Sequence, residues 1–223
     1  MTFTKRFIAI VMCFMCLSAY IVYAENRTNE ELVATNKTYE KIVAITFDDG
    51  PSALYTQRLL DGLKARGVKA SFFLVGENIE GRESLVRRMH EEGHIIGNHT
   101  YSHVELTRLT KEKRTEEISK TNQLIYEITS ETVKYIRPPC GTFSEDLLYE
   151  INMEPVFWDV DPMDWNRQDV PGMVEMVVNS VKDRDIILFH DIYDTSVTAA
   201  LEVIDRLQAM GYVFVTVEDI IIE

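Results

Sequence analysis

The chain has 223 residues, a formal net charge of −13 and a hydrophobic content of 46%. This acidity argues against nucleic acid and anionic membrane surfaces as partners, because both would repel the protein. The length is enough for one sizeable hydrophobic core, and a single folded domain is the simplest prediction.

The N-terminal segment has the pattern of an export signal. Lys5 and Arg6 precede an apolar run over residues 7–23, and the small residue Ala24 comes directly before a polar stretch. This pattern predicts a signal peptide over residues 1–24, cleaved after Ala24. The alternative is an uncleaved membrane anchor through residues 7–23, although a span needs about 20 apolar residues. Both interpretations place the rest of the chain outside the cytoplasm.

The cysteines and the segment after the signal add two further expectations. Residues 25–40 are polar and without strong periodicity, which is typical of a linker. Cys13 and Cys16 lie inside the apolar run. Removal of the signal leaves Cys140 alone, so the mature form is predicted to have no internal disulfide.

From Lys41 onward, short apolar runs alternate with segments of helical periodicity. The predicted strands are Ile42–Phe47, Ala70–Val75, His94–Gly97, Val133–Arg137, Pro155–Asp159, Asp185–His190 and Tyr212–Thr216. The predicted helices are Leu54–Arg66, Ser84–Glu92, Lys111–Ile128, Glu145–Asn152, Pro171–Val181 and Val197–Met210. This alternation predicts an α/β fold with a parallel sheet and outer helices, as an open sheet or a barrel. Polar motifs at the strand ends favour a barrel-like arrangement, in which distant segments share one mouth.

Two pairs of residues predict a metal site. Asp48 and Asp49 directly follow the first apolar strand, and His99 and His103 follow the third. One carboxylate and two imidazoles are a common ligand set for a catalytic divalent metal, and the second carboxylate is then free to act as a base. The two histidines would lie one turn apart if their segment were helical. The alternative for the aspartates is an ordinary Asp-Gly-Pro turn.

Further polar side chains lie at or near the ends of later strands, namely Arg137, Asp164 and His190. Each has a structural alternative: a surface arginine before a Pro-Pro turn, a loop carboxylate, and a histidine bonded to backbone. Trp165 and Leu188 would pass as ordinary core residues on their own. His90 and His94 have no matching partner in their segments, and we interpret both as structural.

Five segments, taken in chain order, together resemble the motifs of the polysaccharide deacetylase family, the carbohydrate esterases with a NodB homology domain. They are Thr46–Pro51, His99–His103, Arg137–Gly141, Asp161–Trp165 and Ile187–His190. The resemblance covers roughly residues 41–220. It implies that residues 41–223 form one catalytic domain, a distorted (β/α) barrel of the NodB type.

The resemblance also implies the roles of the metal-binding and acid–base residues. Asp49, His99 and His103 would hold the metal, usually zinc in this family, with cobalt or another divalent ion also possible. Asp48 would be the general base that takes a proton from water. His190 would be the general acid that protonates the leaving nitrogen, because an amine leaves poorly unless it is protonated.

The remaining motif residues are implied to support this chemistry. Arg137 would fork onto the base Asp48, and Asp164 would pair with the acid histidine and raise its pKa. Trp165 and Leu188 would form the apolar wall around the acetyl methyl group. Cys140 departs from the family, which commonly has tyrosine there; its backbone N–H can still stabilise the oxyanion, while its side chain would widen the site.

The expected function is a metal-dependent hydrolase that removes N-acetyl groups from an extracellular amino-sugar polymer, with peptidoglycan N-acetylglucosamine as the leading substrate. Chitin or chito-oligosaccharides, poly-N-acetylglucosamine and acetyl-xylan are alternatives, because one catalytic set can serve all of them. Another alternative is a non-catalytic protein that binds wall glycan on the same fold. A phosphate-ester hydrolase is less favoured, because it would need more basic residues. The sequence leaves the oligomeric state open.

Overall fold

A parallel sheet of seven strands forms the frame of the protein. The computed structural model describes residues 41–144, 147 and 151–221. The strands are β1 (Lys41–Asp48), β2 (Ser71–Leu74), β3 (Ile95–Asn98), β4 (Tyr135–Ile136), β5 (Glu154–Pro155), β6 (Ile186–His190) and β7 (Tyr212–Val215). The helices are α1 (Thr56–Arg66), α2 (Gly76–Ile79), α3 (Glu83–Glu91), α4 (Lys111–Thr129), α5 (Val170–Ser180), α6 (Asp194–Ala209) and α7 (Val217–Ile221). Short 3-10 turns cover Leu106–Arg108, Pro139–Gly141 and Asp164–Asn166.

The sheet curls into a distorted barrel, as predicted. Its strand order is β5-β4-β3-β2-β1-β6, and β7 pairs with the first half of β1. After β5 the chain crosses to β6, where Val160 forms a parallel bridge with Ile187. The carbonyl of Val160 also accepts a hydrogen bond from the N–H of Leu188 at 2.9 Å. This bridge joins the segment after β5 to the other edge of the sheet and closes the barrel.

The central strands are buried on both faces, which is usual for a parallel sheet with helices outside it. All residues of β1 from Val43 to Asp48 are buried. Phe47 stacks on Phe72 of β2 with ring centroids 5.3 Å apart. From the outer layer, Val177 of α5 and Val203 of α6 pack into the same core with no exposed surface. Burial on both faces explains why these strands read as continuous apolar runs rather than as alternating patterns.

Each predicted strand is present, but β4 and β5 are shorter than expected. The ladder between these strands has two residue pairs, and its hydrogen bonds run from the N–H groups of Glu154 and Val156 to the carbonyl oxygens of Lys134 and Ile136. α6 begins at Asp194 rather than at Val197, because a carboxylate in the first turn stabilises a helix N-terminus. The helix expected over residues 145–152 lies mostly outside the described residues.

The residues from Lys41 onward form one compact unit. Within the ranges that the structure describes, no helix combines the length and the apolar character needed to cross a bilayer. The expected signal segment (residues 1–24) and the polar linker (residues 25–40) lie outside those ranges, so both stay predictions.

Candidate active site

The polar motifs of the sequence meet at the carboxyl end of the sheet. β1 and β6 are neighbours, and in their register Asp48 lies opposite His190. A cavity of about 510 Å³ opens at this point. It is lined by Asp48, Asp49, His99, His103, Cys140, Trp158, Asp161, Trp165, Leu188 and His190. Arg137 and Asp164 lie behind its wall, bonded to Asp48 and His190 respectively. The structure therefore brings every predicted site residue to one place.

Asp49, His99 and His103 form a group that could hold a metal ion. One ligand atom from each lies within 4.8 Å of the other two. Asp49 Oδ1 is 3.5 Å from His99 Nε2 and 3.3 Å from His103 Nε2. This oxygen is buried and has no hydrogen-bond partner among the residues that the structure describes, an arrangement that costs free energy. A cation between the three atoms would remove that cost, so the donor set fits a divalent metal.

The two histidines are not held by a helical turn. They lie in the loop after β3, where Thr100 and His103 have φ angles of 63° and 55°. This left-handed backbone turns the chain back on itself and brings the two imidazole centroids to 4.9 Å. The helical placement considered for the histidine pair is therefore wrong, although the proximity that it implied is correct.

His99 is oriented toward Asp49 by its other ring nitrogen. Its Nδ1 donates a hydrogen bond to the carbonyl oxygen of Arg137 at 2.6 Å. The proton on Nδ1 leaves the lone pair of Nε2 facing Asp49. Burial lowers the pKa of His99, and this effect outweighs the opposing charges of Asp48 and Asp49. The imidazole is thus kept neutral, which is the form that binds metals.

Asp48 is buried beside the guanidinium of Arg137, which has no exposed surface. Arg137 Nη1 donates to Asp48 Oδ1 at 2.8 Å and to Thr46 Oγ1 at 2.7 Å. The other two nitrogens donate to the carbonyl oxygens of Val156 and Phe157 at 3.1 and 3.2 Å. The expected two-nitrogen fork onto Asp48 is therefore wrong, because the backbone after β5 takes the rest of the donor set. The surface-arginine alternative is also wrong.

His190 forms a dyad with Asp164. Its Nδ1 donates to Asp164 Oδ1 at 2.7 Å, and its backbone N–H donates to Asp164 Oδ2 at 2.8 Å. Burial alone lowers the pKa of His190. The hydrogen bond and charge of Asp164, with the charges of Asp48 and Asp49, outweigh burial and raise this pKa to about 9. His190 is therefore protonated at neutral pH and can donate a proton.

The remaining predicted residues line the cavity. Trp165 is 52% exposed, so it is not a core residue, whereas Leu188 is only 3% exposed but still reaches the cavity wall. Cys140 is exposed and has a φ of 59°. Its backbone N–H has no hydrogen-bond partner among the described residues. Trp158, which the sequence analysis did not single out, completes the wall.

Several residues that support the site were missed by the sequence analysis. Asn78 donates from Nδ2 to the carbonyl oxygen of Asp49 at 2.7 Å. In the histidine loop, Asn98 Oδ1 accepts from the N–H of Thr100 at 2.7 Å. The carboxylate of Glu117 accepts from the N–H groups of residues 101 and 102 at 3.0 and 2.8 Å. These contacts satisfy backbone groups that the left-handed turn leaves without sheet or helix partners. The asparagine at the end of the apolar strand, Asn98, was the one sequence signal of this role.

His94 lies away from the cavity. It packs edge-on against Phe72, and its Nδ1 accepts a hydrogen bond from the N–H of Ala70 at 3.0 Å. Burial lowers its pKa to about 4. These contacts agree with a structural role. His90, at the end of α3, does not line the cavity either.

The family model described as polysaccharide deacetylase matches residues 35–154. The match includes the Asp pair, both histidines of the metal group and Arg137. It ends before Asp164 and His190, so the acid dyad rests on the geometry above.

Two curated relatives align with most of the chain. The peptidoglycan-N-acetylmuramic acid deacetylase PdaC of Bacillus subtilis is 38% identical over 191 residues, which is 86% of this chain and 40% of that protein. The peptidoglycan-N-acetylglucosamine deacetylase PgdA of Listeria monocytogenes is 34% identical over 180 residues, which is 81% of this chain and 39% of that protein. The chain thus spans about two fifths of the length of these relatives.

Solved structures have the same fold. The structure of PdaC from Bacillus subtilis has a TM-score of 0.80 at 38% identity and covers 82% of this chain and 90% of that one. A family 4 acetyl xylan esterase from Clostridium thermocellum, solved with a cobalt ion, has a TM-score of 0.77 at 33% identity and covers 81% and 90%. From the family model, these relatives and the shared fold, we conclude that the chain belongs to the polysaccharide deacetylase family.

Proposed function

We propose that the protein is a metal-dependent deacetylase that hydrolyses N-acetyl groups of an extracellular amino-sugar polymer, with peptidoglycan N-acetylglucosamine as its substrate. The observation that carries the proposal is the pairing of Asp48 with His190 across one cavity. The same cavity contains the Asp49–His99–His103 group. Metal-assisted amide hydrolysis uses a base, an acid and a metal ion, and this cavity contains candidate residues for all three.

Asp49, His99 and His103 would hold the metal, and zinc suits their oxygen and nitrogen donors. When bound, the divalent ion would polarise the acetyl carbonyl and make water more acidic. Cobalt is a second candidate, supported by the ion in the acetyl xylan esterase structure. The hydrogen bond from His99 to the Arg137 carbonyl keeps the ligand nitrogen of His99 aimed at Asp49.

Asp48 is the residue that accepts the proton from the attacking water. It lies outside the three-ligand group, with Oδ2 still 3.8 Å from His99 Nε2. The buried guanidinium of Arg137 fixes Oδ1, so Oδ2 is the oxygen left to take a proton. Thr46, on the same strand, holds the guanidinium in this position.

His190 donates the proton that the leaving amine requires. Asp164 occupies its Nδ1, so Nε2 is the nitrogen that can reach the substrate. Because its pKa is raised to about 9, His190 is already protonated before the reaction starts. Because Asp48 and His190 are register partners on adjacent strands and line one cavity, the base and the acid can both reach one bound acetyl group.

Trp165 and Leu188 would contact the acetyl methyl group, and the N–H of Cys140, which has no partner among the described residues, would donate to the oxyanion. The names of PdaC and PgdA support peptidoglycan as the polymer. The export signal predicted over residues 1–24 supports a location on the extracytoplasmic side, with residues 25–40 as the expected linker to the catalytic domain.

The test is a panel assay for acetate release by the protein lacking residues 1–24. Peptidoglycan, chito-oligosaccharides and acetyl-xylan are compared with added zinc or cobalt, and product sugars are identified by mass spectrometry. We expect acetate from peptidoglycan, loss of activity on chelation, and acetate release at least about 100-fold slower with Asp48→Asn. Acetate from another polymer alone would reassign the substrate. Glycan binding without acetate would favour a non-catalytic binding protein.

A further inference from the structure

Asp191 follows the acid histidine directly and is fully buried, yet the chemistry above does not use it. One of its carboxylate oxygens, Oδ2, accepts a hydrogen bond from the hydroxyl of Thr56 at the start of α1. The other, Oδ1, has no hydrogen-bond partner in the described part of the chain. An aspartate buried in this way needs a reason, because an unsatisfied oxygen costs free energy.

The carboxylate of Asp191 lies against the backbone of Gly50, the residue after the metal ligand Asp49. A Cβ added at Gly50 would lie 2.2 Å from Asp191 Oδ1 and 2.6 Å from Oδ2. These distances are too short for any side chain, so only glycine allows this approach. The loop after Asp49 is thus packed directly on Asp191.

Thr56 extends the connection along the same loop. Its hydroxyl donates to Asp191 and accepts a hydrogen bond from the N–H of Ser52 at 2.6 Å. The connection between β1 and α1 therefore contacts Asp191 at Gly50 and again, through Thr56, at Ser52.

These contacts lie just beyond the end of the β1–β6 ladder, where backbone pairing no longer holds the two segments together. The ladder between β1 and β6 ends with the pair Asp48 and His190. Asp49 and Asp191 come one residue later, beyond the last paired residues, and Asp49 has a φ of 71°. The sheet alone therefore does not fix the metal ligand Asp49 relative to the acid His190.

We propose that Asp191 is a positioning residue that holds the Asp49–Thr56 segment, and with it the metal ligand Asp49, in place relative to His190. It acts through its hydrogen bond to Thr56 and its packing on Gly50, and it does not touch the substrate. For its effect on turnover, this inference rests on the proposed deacetylase function.

The test compares Asp191→Ala with Asp191→Asn in the full-length chain, purified in detergent. Asparagine keeps the size of the side chain and an oxygen for the Thr56 hydroxyl, whereas alanine removes both. Zinc affinity is measured by competition with a chromogenic chelator, and kcat and KM by acetate release. For Asp191→Ala we expect about 10-fold to 100-fold weaker zinc binding and a similar fall in kcat with KM unchanged. For Asp191→Asn we expect values within about threefold of the wild type.

Thr56 supplies the matched pair of variants and keeps the test open if Asp191→Ala does not fold. Thr56→Ser retains the hydroxyl and should resemble the wild type. Thr56→Val removes it at equal size and should weaken zinc binding in the same direction as Asp191→Ala. If both residues act through their shared hydrogen bond, the double variant should be no worse than Asp191→Ala alone.

Two results would overturn the proposal. One is a folded Asp191→Ala protein with a lower melting temperature but wild-type zinc affinity and kcat, since that is a purely structural role. The other is an Asp191→Asn protein as impaired as Asp191→Ala. Zinc affinity is measured without a glycan, so it tests Asp191 even if the wild type releases no acetate.

Discussion

Replacing Asp164 with asparagine is expected to move the alkaline limit of activity to lower pH. Burial lowers the pKa of His190, but Asp164, with Asp48 and Asp49, raises it from 6.5 to about 9. The substitution keeps the size of the side chain and removes its charge, while His190 stays buried. We therefore expect the pKa of His190 to fall to 6.5 or below in Asp164→Asn.

The magnitude of the effect depends on pH. At about pH 8 a histidine with a pKa of about 9 is about 90% protonated, whereas one with a pKa of 6.5 is about 3% protonated. Loss of the acid form alone therefore lowers kcat/KM about 30-fold at that pH. At about pH 6 both forms are mostly protonated, and the same loss is less than about twofold.

The assay is kcat/KM for acetate release from about pH 5 to about pH 10, which reports the pKa values of the free enzyme. Both proteins are compared at the same saturating zinc concentration, so that the charges around Asp48 and Asp49 are equal in the two. Asp169→Asn makes the same change at an exposed carboxylate outside the cavity wall and should keep the wild-type profile. An unchanged alkaline limit in Asp164→Asn, or an equal loss at about pH 6 and about pH 8, would refute the role given to Asp164.

Other residues give further expectations. Asp48→Asn should lower kcat by about 10²-fold to 10⁴-fold with zinc affinity nearly unchanged, whereas Asp49→Asn should lose both; kinetics and a chelator competition separate them. Gly141→Ala should lower the free energy of unfolding by about 1–2 kcal/mol. The φ of Gly141 is 63°, and the new Cβ would lie 3.0 Å from the Trp158 ring. Gly67→Ala, at a φ of 65°, would meet no neighbour, so urea unfolding should show a smaller loss of unfolding free energy for it. His94 stays neutral with a pKa of about 4, so its contribution to stability is full above pH 6.5 and is lost as pH falls toward 4. That loss approaches ~3 kcal/mol, and His94→Asn, which retains an acceptor for Ala70, should flatten the pH dependence of urea unfolding.

The strands, and the residues that meet at their carboxyl ends, were accessible from the sequence because each motif directly follows an apolar run. Burial on both faces gives a parallel strand a continuous apolar pattern, and the carboxyl ends of such strands meet at one edge. Asp48 and His190 could therefore be placed together although their strands are far apart in the chain. The hydrogen bond from Thr46 to Ile187, which joins the same two strands, spans 141 positions.

Backbone conformation and distant packing were not accessible in the same way. The left-handed angles at Thr100 and His103 are unusual for residues with side chains, so the spacing of the histidines suggested a helical turn instead. Arg137 divides its donors between Asp48 and the backbone of the closing segment, which depends on how the barrel closes. Asp191 has no motif of its own; its hydrogen bond to Thr56 spans 135 positions of the chain.

The bridge between Val160 and Ile187 has a consequence for local stability. Asp164 lies four residues after Val160, and His190 lies three residues after Ile187. The His190–Asp164 pair therefore joins the two edges of the barrel just beyond the backbone bridge that closes it. The stabilisation that this pair gains from the positive charge of His190 is full below pH 6.5, the ordinary pKa, and is lost as pH rises through about 9. Amide hydrogen exchange at Leu188 should therefore accelerate, beyond its intrinsic rate, over the same interval in which the acid is lost. Deprotonation of His190 would thus remove the proposed acid and also weaken the closure of the barrel at the Val160–Ile187 bridge.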